Sequence, residues 1–127
     1  MATKRRKMRA NPTGVTVLFP IMYRGARSGE PGKLKGPSYF ISSKQFAESY
    51  GPTATFEVRM KNPLYVSQSE WQESYSSSSF TQTAAQIAAG LKKRGYDGAV
   101  AEFAGAKGAI IVAFVVSAKQ ATWLPFA

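Results

Sequence analysis

The chain has no cysteine and no histidine, so any reactive chemistry must come from hydroxyls, phenols, guanidinium groups and a few carboxylates. A thiolate nucleophile, a disulfide, a Ser-His-Asp relay and a zinc site of the usual kind are excluded. The remaining chemistry-bearing groups fall in three places. Tyr23-Arg24-Gly25 sets a guanidinium beside a residue with no Cβ, and Tyr39 to Tyr50 holds two phenols with the hydroxyls of Ser42 and Ser43 between them. The third is the small set of seven acids, of which Glu102 lies in an apolar stretch. Each group also has a plain reading: Ser42 as a helix cap, Tyr39 and Tyr50 as core aromatics, Arg24 as a surface cation, Glu102 as a solvent-facing strand residue.

The elements that must position these groups are short and alternate in type. Val15, Val17 and Phe19 alternate with Thr16 and Leu18 in a strand interrupted by Pro20, which predicts an edge or a bulge before Tyr23. Gly25 to Gly36 reads as a loop. Tyr39 to Ile41 reads as a brief strand. Ser42 with Gln45 three residues on fits a capping box that opens a helix through Tyr50, with Phe46, Ala47 and Tyr50 on one face and Gly51-Pro52 as the stop. Phe56, Val58 and Met60 alternate with Glu57 and Arg59 in a half-buried strand. Asn62-Pro63 turns the chain into Leu64 to Val66.

Ser67 to Ser79 is polar and serine-rich, broken by Trp71 and Tyr75, and predicts a surface loop with room for one helical turn. Phe80, Ala84, Ile87, Ala88 and Leu91 keep helical spacing, and Lys92-Lys93-Arg94-Gly95 supplies a basic last turn and a glycine stop. Tyr96 to Phe103 and Ala109 to Val116 read as a strand pair closed at Gly105 to Gly108, with the apolar last strand central. Asp97, before Gly98, reads as a turn residue. The order predicts an α+β domain with mostly antiparallel pairing.

A chain of 127 residues, 44% hydrophobic, suffices for one domain with a real core. No apolar run is long enough to cross a bilayer, and the basic start is followed by polar residues, so a soluble, non-secreted protein with no membrane partner is expected. Seventeen Lys and Arg against seven Asp and Glu give +10, and Lys4, Arg5, Arg6, Lys7 and Arg9 supply five of those charges. Residues 1–13 therefore read as a basic arm on a domain spanning 14–127. Such an arm is either solvated or laid on nucleic acid or an acidic protein surface.

Taken in order, Tyr23 to Gly25, Phe40 to Ser43, Ala47 to Tyr50, Asn62 to Leu64, Gly95 to Val100 and Ile110 to Val116 resemble the ADP-ribosyltransferase superfamily, in particular its phage-encoded members. The similarity spans roughly residues 15 to 120. It implies a split antiparallel β-sandwich with two or three helices and a cleft for NAD. It also implies roles: the Gly25 backbone on the nicotinamide carboxamide, Arg24 on phosphate or ribose, Ser42 or Ser43 as ligand hydrogen-bonding hydroxyls, and Tyr50, with Tyr23 and Tyr39 nearby, for the ring. Breaking the nicotinamide–ribose bond passes through an oxocarbenium-like state, so a carboxylate belongs beside the ribose. The superfamily's catalytic Glu falls at Ile110 here, where neither Gly108, Ala109 nor Ile110 can act. Glu102, on the preceding strand, is the substitute, ahead of Glu57, Glu70 and Glu73.

Three functions follow as expectations. The first is a phage-encoded, NAD-dependent mono-ADP-ribosyltransferase modifying a host protein in the host cytoplasm. The second is an inactive transferase-like domain in a virion or other assembly, anchored by its arm. The third is a basic module on nucleic acid through Lys4 to Arg9 and Lys92 to Arg94.

Overall fold

The computed structural model describes residues 16–26, 30–75, 83–106 and 108–125, and the basic arm lies outside these. The chain forms an α+β domain around one seven-stranded, mostly antiparallel sheet. In chain order the elements are β1 (Val17–Gly25), β2 (Ser38–Ile41), α1 (Lys44–Glu48), β3 (Thr53–Met60) and β4 (Pro63–Tyr65). These are followed by α2 (Gln68–Glu70), a π-helical turn (Trp71–Tyr75), α3 (Ala84–Lys93), β5 (Gly98–Gly105), β6 (Gly108–Val115), a 3-10 turn (Ala118–Gln120) and β7 (Ala121–Trp123). The strands lie in the order β4-β5-β6-β2-β1-β3-β7, so the apolar β6 is interior, as its composition predicts.

That order forces the sheet to roll. β3 is sixth and β4 first, a separation of about 24 Å in a flat sheet at the usual strand spacing. Only Lys61 and Asn62 join them, and three Cα steps span at most about 11 Å. The two halves must therefore face each other. Their shared interior is Met22, Phe40, Phe56, Val58, Met60, Val100, Ala113 and Val115. Gly98 is a point of close approach, because a Cβ there would sit 2.6 Å from the Met60 sulfur. Between the halves, β1 and β2 pair only at Tyr23↔Ile41.

The outer face of the β4-β5-β6-β2 half is covered by helices. β4 and β5 are parallel, and a parallel pair needs a long crossover, here α2, the π turn and α3. Ile87, Ala88 and Leu91 of α3 pack with Trp71 and Tyr75 onto Ala99, Ala101, Val112 and Phe114. Burying Ile87 and Leu91 contributes about 1.5–3 kcal/mol each. A capping box between Thr83 and Gln86 starts α3, and Gly95, at φ +89°, ends it.

Two expectations are corrected, and the bulge expected at Pro20 is found. Ser43, not Ser42, caps α1, accepting from the Phe46 N–H. The Ser67–Ser79 stretch is not simply a surface loop: Trp71 and Tyr75 are buried, because the crossover needs apolar side chains to seat it on the sheet. Pro20 falls in a bulge, with the register shifting between Phe19 and Met22, so that Pro20 and Ile21 oppose Glu57 alone. β1 is nevertheless interior, between β2 and β3, rather than at an edge. The predicted helix position Phe80 lies outside the described residues. Among the described residues no helix is long and apolar enough to cross a membrane.

Candidate functional site

β1 and β3 form a long ladder that reaches Gly25↔Thr53, whereas β2 has already parted from β1 beyond Tyr23. Arg24 and Gly25 thus have a strand on one side only. Which of the two turns its backbone toward the gap follows from alternation. Ala26 N–H donates to Pro52 O at 3.0 Å, and Leu124 N–H donates to Thr55 O from the far side of β3 at 2.8 Å. Successive residues of an antiparallel strand direct their N–H and C=O to alternate sides. Ala26 and Arg24 therefore face β3, while Tyr23 and Gly25 face β2. Gly25 presents one donor and one acceptor to the side from which β2 has withdrawn.

α1 borders this gap. A Cβ on Gly25 would collide with the Ala47 carbonyl and lie 3.1 Å from Tyr50 Cβ, so glycine is required for the helix to approach. The close approach sets Tyr50, 46% exposed, at the rim. Tyr23 shares this outer face, opposite Thr55 and Ile41. Arg24 lies on the inner face, opposite Ala54. Its guanidinium donates to Pro31 O at 2.9 Å, and burial lowers its pKa.

Ser42 is held across the sheet: its N–H donates to Ile111 O at 2.9 Å, and its Oγ accepts from Ile111 N–H at 2.8 Å. Glu102 is in register with Ile111 on the next strand, so Glu102, Ile111 and Ser42 form one row on the inner face. Two strand spacings separate the Glu102 and Ser42 backbones by about 10 Å. Glu102 is exposed. Tyr39, by contrast, is turned into the helix-covered core, edge-on to Trp71 at 6.2 Å and tilted on Phe114 at 4.8 Å, and burial pushes its phenol up to about 12.

Gly25, Tyr23 and Tyr50 are thus brought together, Ser42 and Glu102 share the opposite face with Arg24, and Tyr39 packs half-buried against the helix-covered core. Tyr23, Arg24, Gly25 and Tyr50 lie at the strand split, whereas Glu102 stands two strands away from Ser42 on the inner face. Sequence reasoning missed a second feature at this end, a half-open hollow of about 480 Å³ walled by Pro31, Gly32, Thr53, Ala54, Thr55 and Trp123. Gly32 touches the Trp123 indole so closely that a Cβ would lie 2.6 Å from it. The two residues are far apart in the chain, and no local pattern links them.

The acids that could serve are dispersed. Asp97 is engaged at the far end of the sheet, accepting from Lys61 N–H at 2.6 Å and Asn62 N–H at 2.9 Å, which makes it a clamp between two connections more than a turn former. Glu57 pairs with Arg59 at 2.6 Å. Among the described residues no group of three or more acidic side chains could hold a metal ion. No known protein family, curated protein or solved structure matches this chain.

Proposed function

We propose that this domain binds NAD in the manner of an ADP-ribosyltransferase, with the nicotinamide in the gap between β1 and β2. One observation carries the reading: the Gly25 N–H and C=O are directed at that gap, a donor and acceptor pair of the kind a carboxamide complements. The phenol of Tyr50 at the rim supplies a stacking surface, and Arg24, on the inner face, supplies further guanidinium donors for phosphate or ribose oxygens. In the active form of this proposal, Glu102 stabilises the developing ribosyl cation and ADP-ribose passes to a protein acceptor. The rolled, split sheet is consistent with the sandwich of that superfamily.

A non-catalytic version has its own support. Ser42 Oγ already accepts a hydrogen bond from Ile111, and Arg24 already donates to Pro31, so two of the expected ligand groups serve the fold as well. That version suits an assembly component that retains a transferase-like domain.

Incubation with labelled NAD and host lysate separates the two, comparing wild type with Arg24→Ala and Glu102→Gln. Transfer by wild type that Glu102→Gln loses establishes the enzyme. Calorimetric NAD binding without transfer establishes the non-catalytic domain. Neither binding nor cleavage by wild type rules out NAD as the ligand.

A further inference from the structure

The charge excess of the chain is not spread evenly. At the end of the sheet where β3 passes into β4, several connections are tied together around Asp97. Its carboxylate accepts from Lys61 and Asn62, and its carbonyl accepts from Gln120 Nε2 at 2.8 Å. Asn62 Nδ2 donates to Gly95 O at 2.8 Å, and Gln120 Nε2 also reaches Arg59 O at 3.3 Å. These bonds gather the end of β3, the C-terminus of α3 and the 3-10 turn into one surface. Each contributes cations: Arg59 and Lys61 from the first, Lys92, Lys93 and Arg94 from the second, Lys119 from the third.

Two acids sit on these connections: Glu57, paired with Arg59, and Asp97, engaged by backbone N–H groups. Six cations against two acids leave +4. Lys4 to Arg9 carries five more of the total +10, so all the rest of the chain comes to +1. Arg94 is also held in place, over the Tyr96 ring at 5.4 Å and against Tyr75 Oη at 3.4 Å. Three basic residues at a helix C-terminus are accounted for by the helix dipole alone. The hydrogen bonds around Asp97 bring the connections that carry Lys61 and Lys119 to the same end, which the dipole does not account for.

We propose that this closed end is a docking surface for the phosphate backbone of nucleic acid, independent of the NAD reading and of base sequence. Cations gathered at one end of a domain neutralise phosphates and release counterions. The polar side chains among them, Asn62, Ser117 and Gln120, are engaged in hydrogen bonds to backbone, and the excess of positive charge complements a row of phosphates.

The test uses the full chain with random-sequence duplex DNA across a salt series. Four proteins are compared: wild type; Lys92→Gln/Lys93→Gln/Lys119→Gln; a variant with Gln at Lys4, Arg5, Arg6, Lys7 and Arg9; and the combination. Unchanged thermal unfolding midpoints serve as the folding control. The closed-end triple variant should flatten log K against log salt by about 2 to 3, at ~0.9 for each phosphate no longer neutralised, in both arm backgrounds. An unchanged slope in the arm-neutralised background overturns the proposal, as does tighter binding to vesicles containing anionic lipid than to DNA.

Discussion

Where β3 passes into β4, Asp97 binds two backbone N–H groups of the connection, and Gln120 ties the last turn to the same residue. At the opposite end of the same strands, β1 and β2 share a single pair and then part, leaving α1 to border the opening. One sheet is thus fastened at one end and split at the other. The difference teaches why a rolled sheet can hold an opening at all. Closing the far end fixes the angle between the halves, so the gap at Gly25 is a consequence of the fold and needs no stabilising interaction of its own. Substitutions at the fastened end should act on the stability of the whole domain, whereas those at the split should act on α1 and on ligand.

The largest effect is expected at the fastened end. Asp97→Ala removes two charge-assisted hydrogen bonds to backbone and should cost about 2–4 kcal/mol, read as a fall in the urea midpoint without a change in m. Gly25→Ala comes next, at about 1–3 kcal/mol, because the new Cβ meets the Ala47 carbonyl and α1 has to shift. Amide exchange should show that loss concentrated in residues 44–50. If Gly25→Ala loosened the whole domain as evenly as Asp97→Ala, the distinction between the two ends would collapse. Ser43→Ala deletes the α1 cap and should cost about 1 kcal/mol, again with faster exchange confined to α1.

How much of this was legible in the residues depends on range. α3 could be read because its signals are local: Thr83 with Gln86 at one end, Lys92 to Gly95 at the other, and Ile87, Ala88 and Leu91 at helical spacing. The β5–β6 hairpin and the Pro20 bulge are likewise local. The roll of the sheet was not legible, because it depends on which strands pair. β4 joins β5 in parallel after a long crossover, and nothing within Pro63–Tyr65 announces that partner. The same holds for the site. Local sequence picks out Arg24 and Gly25, and strand alternation puts them on opposite faces, but it cannot tell which face is the interior and which carries α1. It assigns Ser42 the cap that Ser43 provides, because Ser42 is claimed by Ile111, whose position only the fold determines. The basic end is the plainest case. Lys92 to Arg94 is visible as a run, whereas Lys119 and Arg59 join it only through the side chain of Gln120.

The smallest effect at neutral pH, and the one that most sharpens the boundary between core and opening, concerns Tyr39. Had its ring lined the gap, the phenol would be wetted and titrate near its ordinary value of 10.0; burial against Trp71 and Phe114 instead pushes it up to about 12. The fold therefore favours the protonated phenol. Below pH 10 both folded and unfolded chains hold the proton, and the contribution is fully present. As pH rises from 10 toward 12, the unfolded chain releases the proton first, and stability declines until the folded phenol also ionises. Tyr39→Phe has no proton to lose, so its urea midpoint should fall less than that of wild type between pH 9 and pH 11, with the two proteins close together at pH 8. Parallel pH profiles would mean that Tyr39 is open to water and return it to the ligand-binding side of the split. Profiles that diverge between pH 9 and pH 11 keep it in the core, and leave Tyr50 as the exposed phenol at the rim.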